Sequence, residues 1–341
     1  MNKEEMLQQM TAVDHELIRK TRHHICRIEK QNELMENKKK WLGVTTALDV
    51  LEDTDCAITY YRENKYPDEL NGKYLFTYGL LQALFVQEDA VNSINFALFN
   101  ENVEFDKNHP DAHAVREIRD DVVGHPTNRR NNKQFIYLAQ YSLSKNHFRY
   151  IRAEACSNPS TILDVDVEKA ISDVASCVNE VLKKAIERLD REFREYIDMH
   201  RERKMKKIFG LLGYAREKVL TKDYMDEWGY EATKNMVEKC EEELRMRYGK
   251  VEAVDCYKYL LDDIHELYNL IDNGICQIPK SLQKGVKKYL LEHLFVKLEE
   301  LESYCEETDE YFENYGEEHI ELADDLEMPK IIYEGEEEIS E

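Results

Sequence analysis

The residues of this chain whose types and spacing can do chemistry gather in one stretch, REIRDDVVGHPTNRR, at residues 116–130. Arg119, Asp120 and His125 lie there, with five residues between the arginine and the histidine. A guanidinium makes paired contacts to a phosphate, and an imidazole that titrates near neutrality can take or give a proton. In an unbroken helix six positions turn a side chain by about 240°, so the two would diverge. Gly124 ends the helix and Pro126 forbids a restart, which lets the chain reverse and return the imidazole beside the guanidinium. Such a pair suits RNA cleavage, in which a 2′-hydroxyl attacks the adjacent phosphate and neither metal nor cofactor is required. The plain alternative is a capping turn in which Arg119 pairs with Asp120 or Asp121.

Basic residues surround the motif. Arg116, Arg129, Arg130, Lys133 and Arg149 are the candidate RNA contacts; with Lys145 and Arg152 they outnumber Glu117, Asp120 and Asp121. Phe135, Tyr137, Tyr141, Phe148 and Tyr150 are interleaved with them, a composition that can hold phosphates and stack unpaired bases. A twisted hairpin also uses aromatics for cross-strand packing and basic residues for solubility. Two other arginine–histidine pairs have similar gaps, Arg194 with His200 and Arg19 with His24, but Glu195 and Lys20 stand where the polar partner belongs. His200 continues an apolar helical stripe and reads as a packed core histidine. His113, Glu117 and Asp120 share a helix face, where three polar residues mark solvent far more often than a metal. No glycine-rich phosphate loop, serine-centred elbow or zinc-spaced cysteine set is present.

The elements that must position these residues are mostly helical, since Gly and Pro number only 12 and 6 in 341 residues. The stretch KYLFTYGLLQALFVQEDAVNSINFALF, residues 73–99, is apolar on most sides and predicts the central helix of a bundle. A helix over about residues 41–61 precedes it, and Asn108-His109-Pro110-Asp111 starts the motif helix. Residues 134–152 alternate aromatic and polar side chains around Ser144-Lys145-Asn146 and predict a β-hairpin. From Asp164 to about Lys207, Ile171, Val174, Val178, Leu182, Ala185, Leu189, Phe193, Tyr196 and His200 are spaced 3-4-4 and repeat every eleven residues, which predicts a nearly straight helix. The fold class is therefore mainly α: a helical bundle with a small hairpin insertion, then a long straight helix and a second helical region. The expected divisions are an N-terminal amphipathic helix (1–38), a helical domain (39–208), a C-terminal helical domain (209–328) and a disordered acidic tail (329–341).

Formal net charge is −23 at pH 7, so any nucleic-acid surface must be a local cluster that overrides the average. Eight cysteines without a Cys-x-x-Cys pair read as reduced thiols. No apolar run approaches the roughly 20 residues that span a bilayer, and MNKEEMLQQM lacks an apolar leader segment. A soluble cytoplasmic protein is the expectation.

The motif resembles that of the HEPN superfamily, whose ribonucleases carry an Arg, a polar residue and a His four to six positions after the Arg. Arg119, Asp120 and His125 match it, and the resemblance covers about residues 41–200. It implies a helical bundle that forms homodimers with two motifs facing one cleft. The implied activity is metal-independent endoribonuclease cleavage of single-stranded or tRNA-like RNA, in a prokaryotic toxin or antiviral defence system with an antitoxin or other defence partner. Carried over, Arg119 is the phosphate and transition-state ligand, His125 the proton-transfer residue and Asp120 the orienter. Thr127 stands where members controlled by tyrosine modification have a Tyr, so that control is not expected. The alternative is a catalytically inactive helical scaffold or sensor subunit of a defence complex.

Overall fold

The computed structural model describes residues 12–124, 126, 127, 129, 133–155, 160–221, 226–250 and 254–315. His125, Arg130 and the acidic tail lie outside the described residues. The chain is mainly α-helical, with one small antiparallel sheet, and divides into two compact units: Met1–Glu195 with Glu241–Tyr259, and Tyr196–Cys240 with Leu260–Glu341.

In the first unit, α1 (His15–Ile25) and α2 (Ile28–Met35) lead into two long helices, α3 (Lys38–Glu63) and α4 (Leu70–Phe99). The Asn37 side chain accepts from the Lys39 N–H and starts α3. Asn100, in the left-handed region at φ 57°, ends α4. Between the long helices the chain turns at Pro67, and a Cβ on Gly72 would lie 2.6 Å from the proline ring, so only glycine fits there. Val44, Leu48 and Leu51 of α3 are buried in one core with Leu81, Leu84, Val91 and Ile94 of α4. Burial on this scale, about 25 cal/mol per Å² of apolar surface, supports helices whose own propensity is modest.

The motif helix α5 (Pro110–Arg119) begins with proline in its first turn, packs on α4, and buries Ala112 and Val115. It widens into a single π turn, Asp120–Gly124. The sheet follows, with β1 (Gln134–Leu138), β2 (His147–Glu154) and β3 (Thr161–Asp166) in the order β1-β2-β3, all antiparallel. Ile136, Phe148, Tyr150 and Val165 point into the core. Lys145, in the β1–β2 connection, donates to the carbonyls of Arg62 and Asn64 (2.5 and 3.0 Å), while Tyr61 Oη donates to the Lys145 carbonyl at 2.7 Å. An ammonium thus satisfies the C-terminal carbonyls of α3 and fixes the sheet to the helices.

The predicted hairpin is two strands of this three-stranded sheet. Residues 161–166, TILDVD, continue it, and the long helix α6 (Val167–Arg201) begins three residues later than Asp164. Asp166 marks the true start: its side chain accepts from the Lys169 N–H at 3.0 Å. The apolar stripe of α6 is buried as predicted from Ile171 through Phe193.

The second unit holds the end of α6, a 3-10 turn (Met205–Phe209), α7 (Leu212–Leu220), much of α8 (Glu227–Tyr248) and α9 (Asp255–Asn269), and α10 (Lys280–Asn314). His200 is buried edge-on to Tyr196 (4.8 Å between centroids) and Phe312 (5.9 Å), as a core histidine. Asp309 accepts from the Met205 and Lys206 N–H groups at 2.9 and 3.0 Å and holds the 3-10 turn on α10.

Candidate active site

Arg119 closes α5 over α4. Its Nε and Nη2 both donate to Gln82 Oε1 (3.1 and 2.8 Å), and its Nη1 donates to Asp120 Oδ1 at 2.9 Å. The guanidinium carbon lies 4.0 Å from the ring centroid of Phe85, one turn beyond Gln82. Three directed bonds and a ring face leave the side chain one orientation. Among the described residues they commit three of its five N–H groups, and the two others are the ones that could meet a ligand such as a phosphate. Gly124 permits this closeness, since a Cβ there would stand 3.0 Å from Arg119 Nη1 and 3.4 Å from Asp120 Oδ1.

The π turn separates the two adjacent acids. Asp120 is partly exposed and meets Arg119, whereas Asp121 turns inward and is 1% exposed. Its carboxylate accepts from Arg129 Nε at 2.7 Å and from Arg152 Nη2 of β2. Arg129 also donates to Glu117 Oε2 at 2.6 Å. The Ile136 N–H donates to the Pro126 carbonyl at 2.8 Å, and Arg129 bridges to Gln134. Pro126 and Arg129 are therefore tied to the sheet. Burial, followed by the Asp121 charge, pushes the Tyr150 phenol up to about 12, so it remains a neutral neighbour of this carboxylate.

Of the predicted site residues, Arg119 and Asp120 are in direct contact, and His125 and Arg130 lie outside the described residues. Arg116 stacks on the same Phe85 ring (4.1 Å) and donates to Asp89 Oδ1 at 2.8 Å. Arg149, exposed on β2, pairs with Asp164 of β3 at 2.5 Å. Lys133 is exposed just before β1. Of the basic residues counted along the sequence, Arg116, Arg119, Arg129, Arg149 and Arg152 have carboxylate partners, whereas Lys145 bonds two backbone carbonyls. Among the described residues no three metal-type side chains converge; Glu117 and Asp120, which share a face with His113, are engaged by arginines. Of the other arginine–histidine pairs, Arg19 is bonded to Glu16, and burial pushes the His24 imidazole down to about 4.

Gln82, Phe85, Glu88 and the clasp around Asp121 were not legible as site residues. The signal was available in part, because Gln82, Gln87 and Glu88 are polar residues within the stretch predicted as the central helix. Glu88 is fully buried, and burial pushes its carboxyl from 4.5 up to about 8, with Arg116 opposing and Asp89 and Asp120 adding to the rise. The fold binds this proton more tightly than the unfolded chain. Its stabilising contribution is thus fully present below pH 4.5 and is lost as pH rises toward about 8. Glu88→Gln is expected to remove that part of the slope in thermal unfolding measured from pH 5 to pH 8.5; a slope identical to wild type would mean that Glu88 is ionised in the fold.

No protein-family model, curated protein or solved structure matches the chain.

Proposed function

We propose that this protein is a metal-independent endoribonuclease of HEPN type, acting on single-stranded or tRNA-like RNA as a homodimer, in a prokaryotic toxin or antiviral defence setting. The observation that carries the reading is the Arg119–Asp120 pair, held in one orientation by Gln82 and Phe85 at the turn leading to His125. In the proposed reaction the 2′-hydroxyl attacks the neighbouring phosphorus and loses its proton. The bond to the 5′-oxygen breaks, that oxygen gains a proton, and a 2′,3′-cyclic phosphate and a 5′-hydroxyl result. Arg119 offers its remaining N–H groups to the phosphate as charge grows on it, and His125 moves the proton.

The test is incubation of wild type and His125→Ala with single-stranded and structured RNA in excess EDTA, with fragment ends analysed. Cleavage by wild type that leaves cyclic phosphate, lost in the variant with folding unchanged, is the expected result; equal cleavage by both ends the proposal. One observation favours a second reading, an inactive helical scaffold or sensor of a defence complex: Arg116, Arg129, Arg149 and Arg152 each already have a carboxylate partner. On that reading neither protein cuts RNA, with or without a partner.

A further inference from the structure

Glu88 sits on α4 one turn beyond Phe85, fully buried, and neither carboxyl oxygen has a hydrogen-bond partner among the described residues. A buried polar group without a partner is costly, and the neutral acid is the least costly form. The nearest cation is Arg116, whose Nη1 is 3.9 Å from Glu88 Oε2. That same nitrogen donates to Asp89 Oδ1 at 2.8 Å. Two carboxyls, adjacent in sequence, therefore face one guanidinium: Asp89 from a half-exposed position and Glu88 from the core. The guanidinium they share lies on the Phe85 ring that also carries Arg119.

The charged and titratable groups that bear on Glu88 are Arg116 of α5, Asp89 of its own helix, Asp120 of the π turn and Cys177 of α6. The Cys177 thiol is pushed up to about 12, first by burial and then by the negative charges of Glu88 and Glu180, so it stays neutral. Arg116 is the one cation in this set, and it lies within reach of both acids.

We propose that Glu88 is a positioning residue whose protonation decides which carboxyl holds Arg116, and that through the shared Phe85 ring it sets where Arg119 lies. Neutral Glu88 leaves the guanidinium on Asp89. When the carboxyl gives its proton to solvent, the new buried anion has no other cation within reach among the described residues, and it draws Arg116 inward away from Asp89. The step from Arg119 placement to RNA cleavage rests on the function proposed above; the two alternative ion pairs do not.

The experiment follows the Glu88 carboxyl carbon by NMR in the full chain labelled at glutamate, with the resonance identified by its loss in Glu88→Gln. Wild type is expected to titrate near pH 8. Arg116→Ala should raise the midpoint, because the cation that favours the anion is gone. Asp89→Asn should lower it by about one pH unit or more, because the like charge is gone and Arg116 has only Glu88 to pair with. Should Glu88→Gln not fold, the resonance that moves in these two variants identifies the group. A midpoint that neither variant moves, or a wild-type midpoint in the ordinary carboxyl range, overturns the proposal.

RNA cleavage by wild type and Glu88→Gln from pH 6 to pH 9 tests the coupling to Arg119. The wild-type rate is expected to bend near the Glu88 midpoint and the variant's to lose that bend. Superimposable profiles overturn the coupling. Midpoints that move as expected while wild type leaves RNA intact would uphold the ion-pair switch and count against the nuclease reading alone.

Discussion

Asp121→Ala is expected to lower the unfolding free energy by about 3 kcal/mol, the lower end of the 3–5 kcal/mol typical of removing one partner from a buried ion pair. Asp121 is itself almost wholly buried, but Arg129 and Arg152 retain some solvent, which softens their loss. The cost comes from what stays behind: two guanidinium groups, one from the motif loop and one from β2, that converge on a carboxylate no longer present. Urea unfolding followed by circular dichroism measures it, and an unchanged slope with denaturant would assign the loss to the native state. Combining Asp121→Ala with Arg152→Met should cost less than the sum of the separate changes, because the second removes a charge the first leaves unpaired. A strictly additive pair would mean that the clasp contributes nothing as a unit.

That clasp also shows what a linear reading of this chain can and cannot recover. The long elements are legible because of their apolar content: the stripe from Ile171 to Phe193 is buried where periodicity places it, and the stretch over residues 73–99 buries Leu80, Leu81, Leu84, Val91 and Ile94 while leaving Leu75 and Phe96 exposed. β3 is not legible in the same way. It is six residues long and runs directly into the N-terminus of α6, so its apolar residues merge with the helical pattern that follows. The boundary is marked by Asp166, whose side chain caps the helix, and not by Asp164 two residues earlier.

The site divides along the same line. Arg119 and Asp120 are found from sequence because they are neighbours with a chemical complementarity that needs no fold to recognise. Gln82 is 37 residues away from the arginine it holds, and only the packing of α5 on α4 brings them together. Asp120 and Asp121 look equivalent as a string, yet the π turn sends one to Arg119 and the other into the core; π turns inserted in helices recur at functional sites for this reason. The basic cluster misleads for the converse reason. Counting residues 116–152 alone leaves a positive surplus, but Asp89 and Asp164 enter from α4 and β3 and pair with it.

On the proposed endoribonuclease reading, Arg119→Lys is expected to lower the rate of RNA cleavage about as much as Arg119→Ala, by roughly 10²–10⁴-fold, the scale of removing a positioned transition-state ligand or proton-transfer group. Charge is kept in the lysine variant, so a site that needed only a positive potential would lose little. An ammonium cannot reproduce the planar fork that takes Gln82 on one side and Asp120 on the other while its flat face lies on Phe85. Gln82→Ala should fall between wild type and these variants, because it frees the guanidinium to rotate without deleting it. The loss in all three should appear in kcat more than in KM, since an oriented guanidinium meets the charge that develops on the phosphate and not the charge present before reaction. Lysine activity close to that of wild type would show that orientation is immaterial, and the contacts from α4 would then be no more than packing.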